Sequence, residues 1–337
     1  MSIITKRIAF LKLSFIMETY KVKANYGGKI MSFKNEQTNI EKIRCCQRIV
    51  EEIQTKNQRF VCRLQFSREP FNITDSHLGG IPYFPHNQEY PMGADGQMLW
   101  LCAQINFSQM PHMEGFPDKG ILQIFLSEWD YDGGFGLYSE EDSTIQRQWR
   151  LLYYPSVDET VTEEECRRKM PCSWESDTNL WRTPDKPLKM IFLPIEKEKI
   201  NYDDFRFDSL FAAALASCLP DANPEKYTPY GLRDDTPDER ELLNKIRQQI
   251  RIGGCKIGGY PCYTQDDPRL YSEECGKPLE EWDTLLFQLD DDTFMFPAGD
   301  IGEMGFNLNG GTLNFLIRAE DLKNKNFSQV LAQWACS

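Results

Sequence analysis

The residue types that carry acid–base, nucleophilic or metal chemistry are few in this chain and poorly spaced for it. Its three histidines, His77, His86 and His112, fit no HExxH or zinc-triad spacing. The nearest approach to an acid–base unit is His77 with Asp75 or Glu89, an imidazole with a carboxylate to orient it. Asp300 stands in the turn Gly299-Asp300-Ile301-Gly302, downstream of Asp290-Asp291-Asp292. A carboxylate there could ligate a divalent cation or act as a general base, but the twelve-residue calcium-loop spacing is absent, and a turn aspartate more simply bonds nearby backbone. Asp130-Tyr131-Asp132-Gly133-Gly134 reads as a solvated acidic turn. No G-x-S-x-G, phosphate-binding loop or dinucleotide fingerprint occurs. The 11 cysteines include no C-x-x-C, Cys45 and Cys46 are adjacent, and Cys166/Cys172 and Cys255/Cys262 are too far apart for a zinc knuckle. They read as small buried apolar residues with a few exposed thiols rather than a metal or redox site. The sequence therefore assigns no catalytic residue, no metal and no cofactor.

Amides offer more. Leu99 to Phe107 alternates so that Leu99, Leu101, Ala103, Ile105 and Phe107 share one face and Gln104 and Asn106 the other. Gln288 and Asp290 recur in the same relation within Leu285-Leu286-Phe287-Gln288-Leu289-Asp290. Paired amides near a pseudo-two-fold axis would bind a peptide or a polar small molecule; alternatively, each glutamine satisfies backbone groups of the glycine turn that precedes its strand. Those turns are Gly79-Gly80-Ile81-Pro82 and Gly258-Gly259-Tyr260-Pro261, in which glycine takes backbone angles closed to other residues and proline fixes the chain that follows.

The elements that must position these residues follow from periodicity. Ile40, Ile43, Ile49, Val50 and Ile53 form one stripe of a helix from about Thr38 to Lys56. Arg59 to Ser67 alternates as a strand, with Phe60, Cys62, Leu64 and Phe66 on one face. Gly120 to Leu126 is apolar enough to be a strand buried on both sides. Further strands are predicted near 148–154 and 188–195, with a short polar helix after Thr162 between them. One helix begins near Tyr202, and a second opens on the capping box Thr236-Pro237-Asp238-Glu239 and runs to about Ile250. Thr312 to Ile317 is another buried strand, and a last short helix follows Asp321 or Ser328.

The glycine turn, the glutamine strand and the apolar strand occur twice in one order, which predicts an α+β fold: a β-rich internal duplication with mixed or antiparallel sheets and a few peripheral helices. The boundaries read as copy one about 59–126, an intervening segment 127–250, copy two about 251–318 and a C-terminal tail 319–337. Together with Gln265-x-Asp267-Pro268 and Gly299-Asp300-x-Gly302, these motifs resemble the YwqG-like family, a bacterial-type domain family of unassigned function. The resemblance runs from about Arg59 to the C terminus. It implies a duplicated β-rich fold in a cytosolic protein and supplies no reaction. Here Glu303 to Gly311 intervenes between the Gly-Asp-x-Gly turn and the final strand, which unsettles any role borrowed for Asp300.

Bulk composition narrows the partners. The 337 residues carry 38 Lys+Arg against 51 Asp+Glu, a net charge of -13 that repels phosphate backbones and makes nucleic acid a poor partner. The apolar run in residues 1–33 is broken by Lys12 and is too short to span a bilayer, so this stretch is expected to be a disordered or loosely attached extension to the domain 34–337. The reading that results is a non-catalytic cytoplasmic binding protein with a basic protein or peptide partner, toxin neutralisation being one form. The alternatives are a metal-dependent or acid/base hydrolase with a pocket between the copies, and a sensor of a small polar ligand. The binding candidates are Gln104, Asn106, Gln288, Asp290 and Asp300; Gly79, Gly80, Pro82, Gly258, Gly259, Pro261, Gly299 and Gly302 are turn formers.

Overall fold

A computed structural model of the chain describes residues 38–127, 135–137, 142–170, 186–291, 301, 304, 308 and 310–336. The expectations for residues 1–33, the Asp130 turn, Gly299, Asp300 and Gly302 lie outside the described residues. In chain order the helices are α1 (Asn39–Lys56), α2 (Glu163–Lys169), α3 (Phe207–Cys218), α4 (Pro237–Ile250), α5 (Ser272–Cys275) and α6 (Ala319–Lys323). The strands are β1 (Gln58–Ser67), β2 (His77–Leu78), β3 (Trp100–Asn106), β4 (Ile121–Leu126), β5 (Trp149–Tyr154), β6 (Leu188–Phe192), β7 (Glu196–Lys199), β8 (Lys256–Gly258), β9 (Thr284–Asp290), β10 (Gly311–Ile317) and β11 (Leu331–Cys336). Two compact units form, Met1–Ile53 with Arg206–Arg247, and Gln54–Phe205 with Gln248–Ser337. Among the described residues no helix is long and apolar enough to cross a membrane.

The first unit is helical. Its α1 begins on a capping box in which the Thr38 N–H donates to the Glu41 carboxylate at 2.8 Å and the Glu41 N–H to the Thr38 hydroxyl at 3.4 Å. Ile43, Cys46, Ile49 and Val50 form its buried stripe. In α3, Phe207, Phe211 and Leu215 recur every four residues and are fully buried. The Thr236 and Glu239 box opens α4 through bonds of 3.0 and 3.3 Å, with Pro237 at the first helical position.

The second unit is one large antiparallel sheet in the order β11-β10-β9-β8-β1-β6-β2-β3-β4-β5, with β7 lying beside β1. β1 is the hinge of this order. Its first half pairs with β7, its second half with β6, and residues 61–63 pair with β8 on the other edge. The sheet curls, because rings from its two ends touch: Trp149 of β5 lies 5.9 Å from Phe315 of β10, and Phe135 lies 5.4 Å from Trp334 of β11. The inner face holds the main core, built from Cys62, Leu64, Phe66, Trp100, Ile105, Leu286, Phe287 and Phe315 among others. Two smaller clusters cover the outer faces, one around Tyr83, Phe84, Leu101 and Phe125, the other around Trp282, Leu285 and Leu316.

Alternation along β3 fails at one point. The pairing with β4 shifts between Leu101 and Ala103, so that Cys102 and Ala103 both face inward while Leu99 and Leu101 join the outer cluster. The expectation that Leu99 and Leu101 share a face with Ile105 is thus corrected by a β-bulge. β9 has the same device, with the shift falling so that Leu286 and Phe287 face inward and Leu285 outward. On β1, Cys62, Leu64 and Phe66 are buried as expected but Phe60 is 48 % exposed, under the Lys197 ammonium.

Two strands replace other expectations. The segment after Ser328 is β11, paired with β10 over six residues, rather than a helix; the short helix is α6, which starts before Asp321. The stretch predicted as one strand over 188–195 ends at Phe192, and the wholly charged Glu196-Lys197-Glu198-Lys199 follows as β7.

Candidate functional site

The two glycine turns are held by amide side chains from the sheet beneath them. In the first, Gly79 and Gly80 take φ of 63° and 78°, and two residues past them Pro82 delivers Tyr83. The Tyr83 N–H donates to Gln104 Oε1 at 2.9 Å, while the Tyr83 carbonyl accepts from Gln123 Nε2 at 2.6 Å. Gln123 Nε2 also donates to Gln104 Oε1 at 2.8 Å, and Gln104 Nε2 donates to the carbonyls of Ile73 and Asp75, both at 2.8 Å. In the second, Gly258 and Gly259 have φ of 72° and 73°, and Pro261 delivers Cys262. The Cys262 N–H donates to Gln288 Oε1 at 2.8 Å and its carbonyl accepts from Asn314 Nδ2 at 3.0 Å; Gln288 Nε2 donates to the Gly254 carbonyl at 2.8 Å. Gln104 stands opposite Gln123 in one strand pair and Gln288 opposite Asn314 in the other. All four side chains are fully buried.

The glycine at 259 has a steric reason as well, since a Cβ there would lie 2.3 Å from Glu198 Oε2. Glu198 is itself buried between Lys256 Nζ, at 2.9 and 3.0 Å, and Arg63 Nη2, at 3.0 Å, and it accepts the Tyr260 N–H at 2.6 Å. Of the remaining candidates, Asn106 donates to the Thr74 carbonyl at 2.8 Å and accepts from the Ser108 N–H at 3.1 Å, and Asp290 accepts the Gly254 N–H at 2.6 Å. Gln104 and Gln288 lie five strand positions apart in the sheet order, roughly 24 Å along the sheet at its usual spacing, and each binds its own turn.

His77 occupies on β2 the register position opposite Gln104 that Lys256 occupies on β8 opposite Gln288. Its Nδ1–H donates to the Gly79 carbonyl at 2.7 Å, its ring stacks on Phe71 at 4.7 Å, and burial pulls its pKa down to about 4. The imidazole is neutral near pH 7. Asp75 is turned elsewhere, taking the Asn72 N–H at 2.7 Å and Gln109 Nε2 at 2.6 Å.

A second buried polar cluster follows the second turn. Asp267 accepts Arg269 Nε at 2.9 Å, Arg269 Nη2 at 2.7 Å and the Phe205 N–H at 3.0 Å, while Asp204 meets the same guanidinium at 3.3 Å. The guanidinium also lies over the Phe205 ring at 4.5 Å. Asp203 accepts from the Cys262 thiol at 3.3 Å, and burial holds its carboxyl above the usual range. On the surface, His86 bridges Glu165 at 2.8 Å and Thr160 at 3.2 Å, in the acidic stretch that leads into α2.

Sequence reasoning missed Gln123, Asn314 and Arg269. The signal for the first two was present: each is the lone amide in an otherwise apolar strand, Ile121-Leu122-Gln123-Ile124-Phe125-Leu126 and Leu313-Asn314-Phe315-Leu316. A carboxylate two residues before Arg269 is too common a pattern to mark a buried pair.

Residues 76–336 match the family described as “Domain of unknown function (DUF1963)”. The chain belongs to that family. The DUF1963 match takes in both turns, all four clamping amides and the Asp267–Arg269 pair, and it begins after β1, the strand on which the sheet order hinges. No curated protein matches the chain.

Proposed function

We propose that this chain is a non-catalytic binding protein of the cytoplasm that holds a basic protein or peptide on its acidic surface, toxin neutralisation being one form of that role. The observation that carries the reading is where the polar groups of the recurring motif go. Gln104, Gln123, Gln288 and Asn314 direct their amides at the chain's own turns, and Asn106 and Asp290 direct theirs at adjacent backbone. In this reading they position loops, and a partner meets charged side chains around those loops. Asp158 and Glu165 flank His86 just past the first turn, and Glu163 and Glu164 stand in the first turn of α2, on a protein of net charge -13. Such a surface speeds encounter with a cationic partner and penalises an anionic one.

An internal duplication fits the same geometry and is part of the proposal. Its support is that both glutamine strands carry a bulge whose extra residue, Cys102 or Leu286, falls two residues before the glutamine, both pair an amide with an amide, and both clamp the residue after the turn proline.

The test is fluorescence-anisotropy titration of the purified chain with arrayed Lys- and Arg-rich peptides, against Glu163→Lys/Glu164→Lys, whose carboxylates are exposed. Saturable binding to particular sequences, weakened about tenfold by the charge reversal and by added salt, is expected. Binding that ignores the reversal, or no saturable binding to any basic sequence, rules the reading out.

A further inference from the structure

We infer that the outer face of β10 and β11 holds a small monovalent cation, of the size of potassium or ammonium, beneath the loop that follows the second glycine turn. The strand register brings the ligand atoms together. Asn314 stands opposite Gln288 on one side and Gln333 on the other, and Thr312, two residues before Asn314, shares its face. Leu313, Phe315 and Trp334, which alternate with these residues, pack on the inner core instead. Side chains placed as Thr312, Asn314 and Gln333 are have Cβ atoms about 5 to 8 Å apart. The loop is tied down over them. Asn314 Nδ2 donates to the Cys262 carbonyl at 3.0 Å, Gln333 Nε2 to the Asp266 carbonyl at 3.2 Å, and Thr264 Oγ1 between them to the Ala335 carbonyl at 2.5 Å. Both amides thus turn their N–H groups to the loop. Asn314 Oδ1, Gln333 Oε1 and Thr312 Oγ1 remain, shielded from solvent, with no hydrogen-bond partner for any of the three among the described residues. Asn314 is 0 % exposed and Thr312 2 %. Three such oxygens under one loop call for a ligand, since buried polar atoms are normally partnered.

The chemistry of the oxygens selects that ligand. Two amide carbonyls and a hydroxyl present lone pairs, which repel an anion. No carboxylate is among them, whereas calcium and magnesium draw on carboxylates to offset their dehydration. Neutral carbonyl oxygens are the donors that replace the hydration shell of potassium. The surroundings favour positive charge as well: Asp290 stands opposite Thr312, and the Lys256 ammonium, opposite Gln288, is held on Glu198 at 2.9 and 3.0 Å. The first half lacks the set among the described residues. Gln123 Oε1 is likewise buried with no partner, but Leu152 stands opposite it and Ile121 two residues before it.

The experiment is equilibrium dialysis of the full chain against rubidium chloride, a potassium mimic, with choline chloride holding ionic strength constant and atomic emission reading the bound metal. One rubidium per chain at saturation is expected, displaced by potassium and by ammonium. Urea unfolding gives a linked readout: above half saturation the folding constant rises about tenfold for each tenfold rise in potassium. Thr312→Val removes one ligand oxygen and leaves the Cys262 clamp intact. It weakens rubidium binding by about tenfold or more, while its unfolding in choline matches that of the unsubstituted chain. Thr312→Ser keeps the oxygen and binds rubidium as the unsubstituted chain does. Rubidium bound at well below one per chain, unfolding that is the same in potassium and in choline, or a Thr312→Val chain that binds rubidium as tightly as before overturns the proposal.

Discussion

Gln104 binds three backbone groups through one side chain, so replacing it measures what the first turn clamp contributes. Gln104→Leu keeps most of the volume and strands the Tyr83 N–H and the Ile73 and Asp75 carbonyls in a buried setting. Unsatisfied buried groups cost about 1–3 kcal/mol each before relaxation, so urea unfolding is expected to show a net loss of about 3 kcal/mol. A loss below about 0.5 kcal/mol would mean that the turn holds itself. His77 predicts a pH dependence. Unfolded, it binds a proton below about pH 6.5; folded, burial delays that to about pH 4. Stability contributed by the neutral form is whole above pH 6.5 and is lost as pH falls toward 4, by about 3 kcal/mol in all. Thermal unfolding from pH 7 to 4 should show that slope, and His77→Gln, which keeps a donor for the Gly79 carbonyl, should flatten it. At this scale the glutamines were legible as lone polar residues in apolar strands, but the faces of Leu99 and Leu101 were not, because an extra residue at a bulge leaves no mark in the alternation.

Elements with a strong period were legible, and those defined by their neighbours were not. The capping boxes at Thr38 and Thr236 announced α1 and α4, and the apolar runs announced β4 and β10. β7 has no apolar residue to reveal it; it is a strand because β1 supplies its ladder and because Glu198 meets Lys256 and Arg63. β11 is rich in Leu, Ala and Gln, which favour helix, and pairing with β10 overrides that preference. β11 is the last strand of the sheet order among the described residues, and the loop after the second turn is tied to its end: Thr264 Oγ1 donates to the Ala335 carbonyl and Gln265 Nε2 to the Cys336 carbonyl, at 2.5 and 2.8 Å. Thr264→Val with Gln265→Ala should release that loop and leave the outer edge of β11 more open. Faster aggregation on warming, followed by light scattering, with little change in the urea midpoint, is the expected result; unchanged scattering would show that the edge is protected otherwise.

For the whole molecule, the sequence order and the spatial order disagree. Periodicity gave most of the elements, but no local signal says that β1, the first strand, inserts between β6 and β8, since pairing partners over a hundred residues apart leave no trace in spacing. The family match from 76 to 336 excludes β1, so a fragment of that span lacks the strand joining the two halves of the sheet. Expressed alone, it should show poor amide dispersion and expose its inner face to a hydrophobic dye, while the full chain does neither. A well-dispersed fragment would mean that β6 and β8 can close without β1.

The placement of β1 also bears on how the protein is made. As it leaves the ribosome, Cys62, Leu64 and Phe66 have no partner until Lys189 to Phe192 has been added, a wait on the order of ten seconds at usual translation rates. Completion waits longer still, for Lys256 to Gly258. During synthesis the nascent chain therefore carries an apolar strand with both edges open, and its yield in a cell should depend on chaperones that shield such strands far more than the finished protein's stability would suggest.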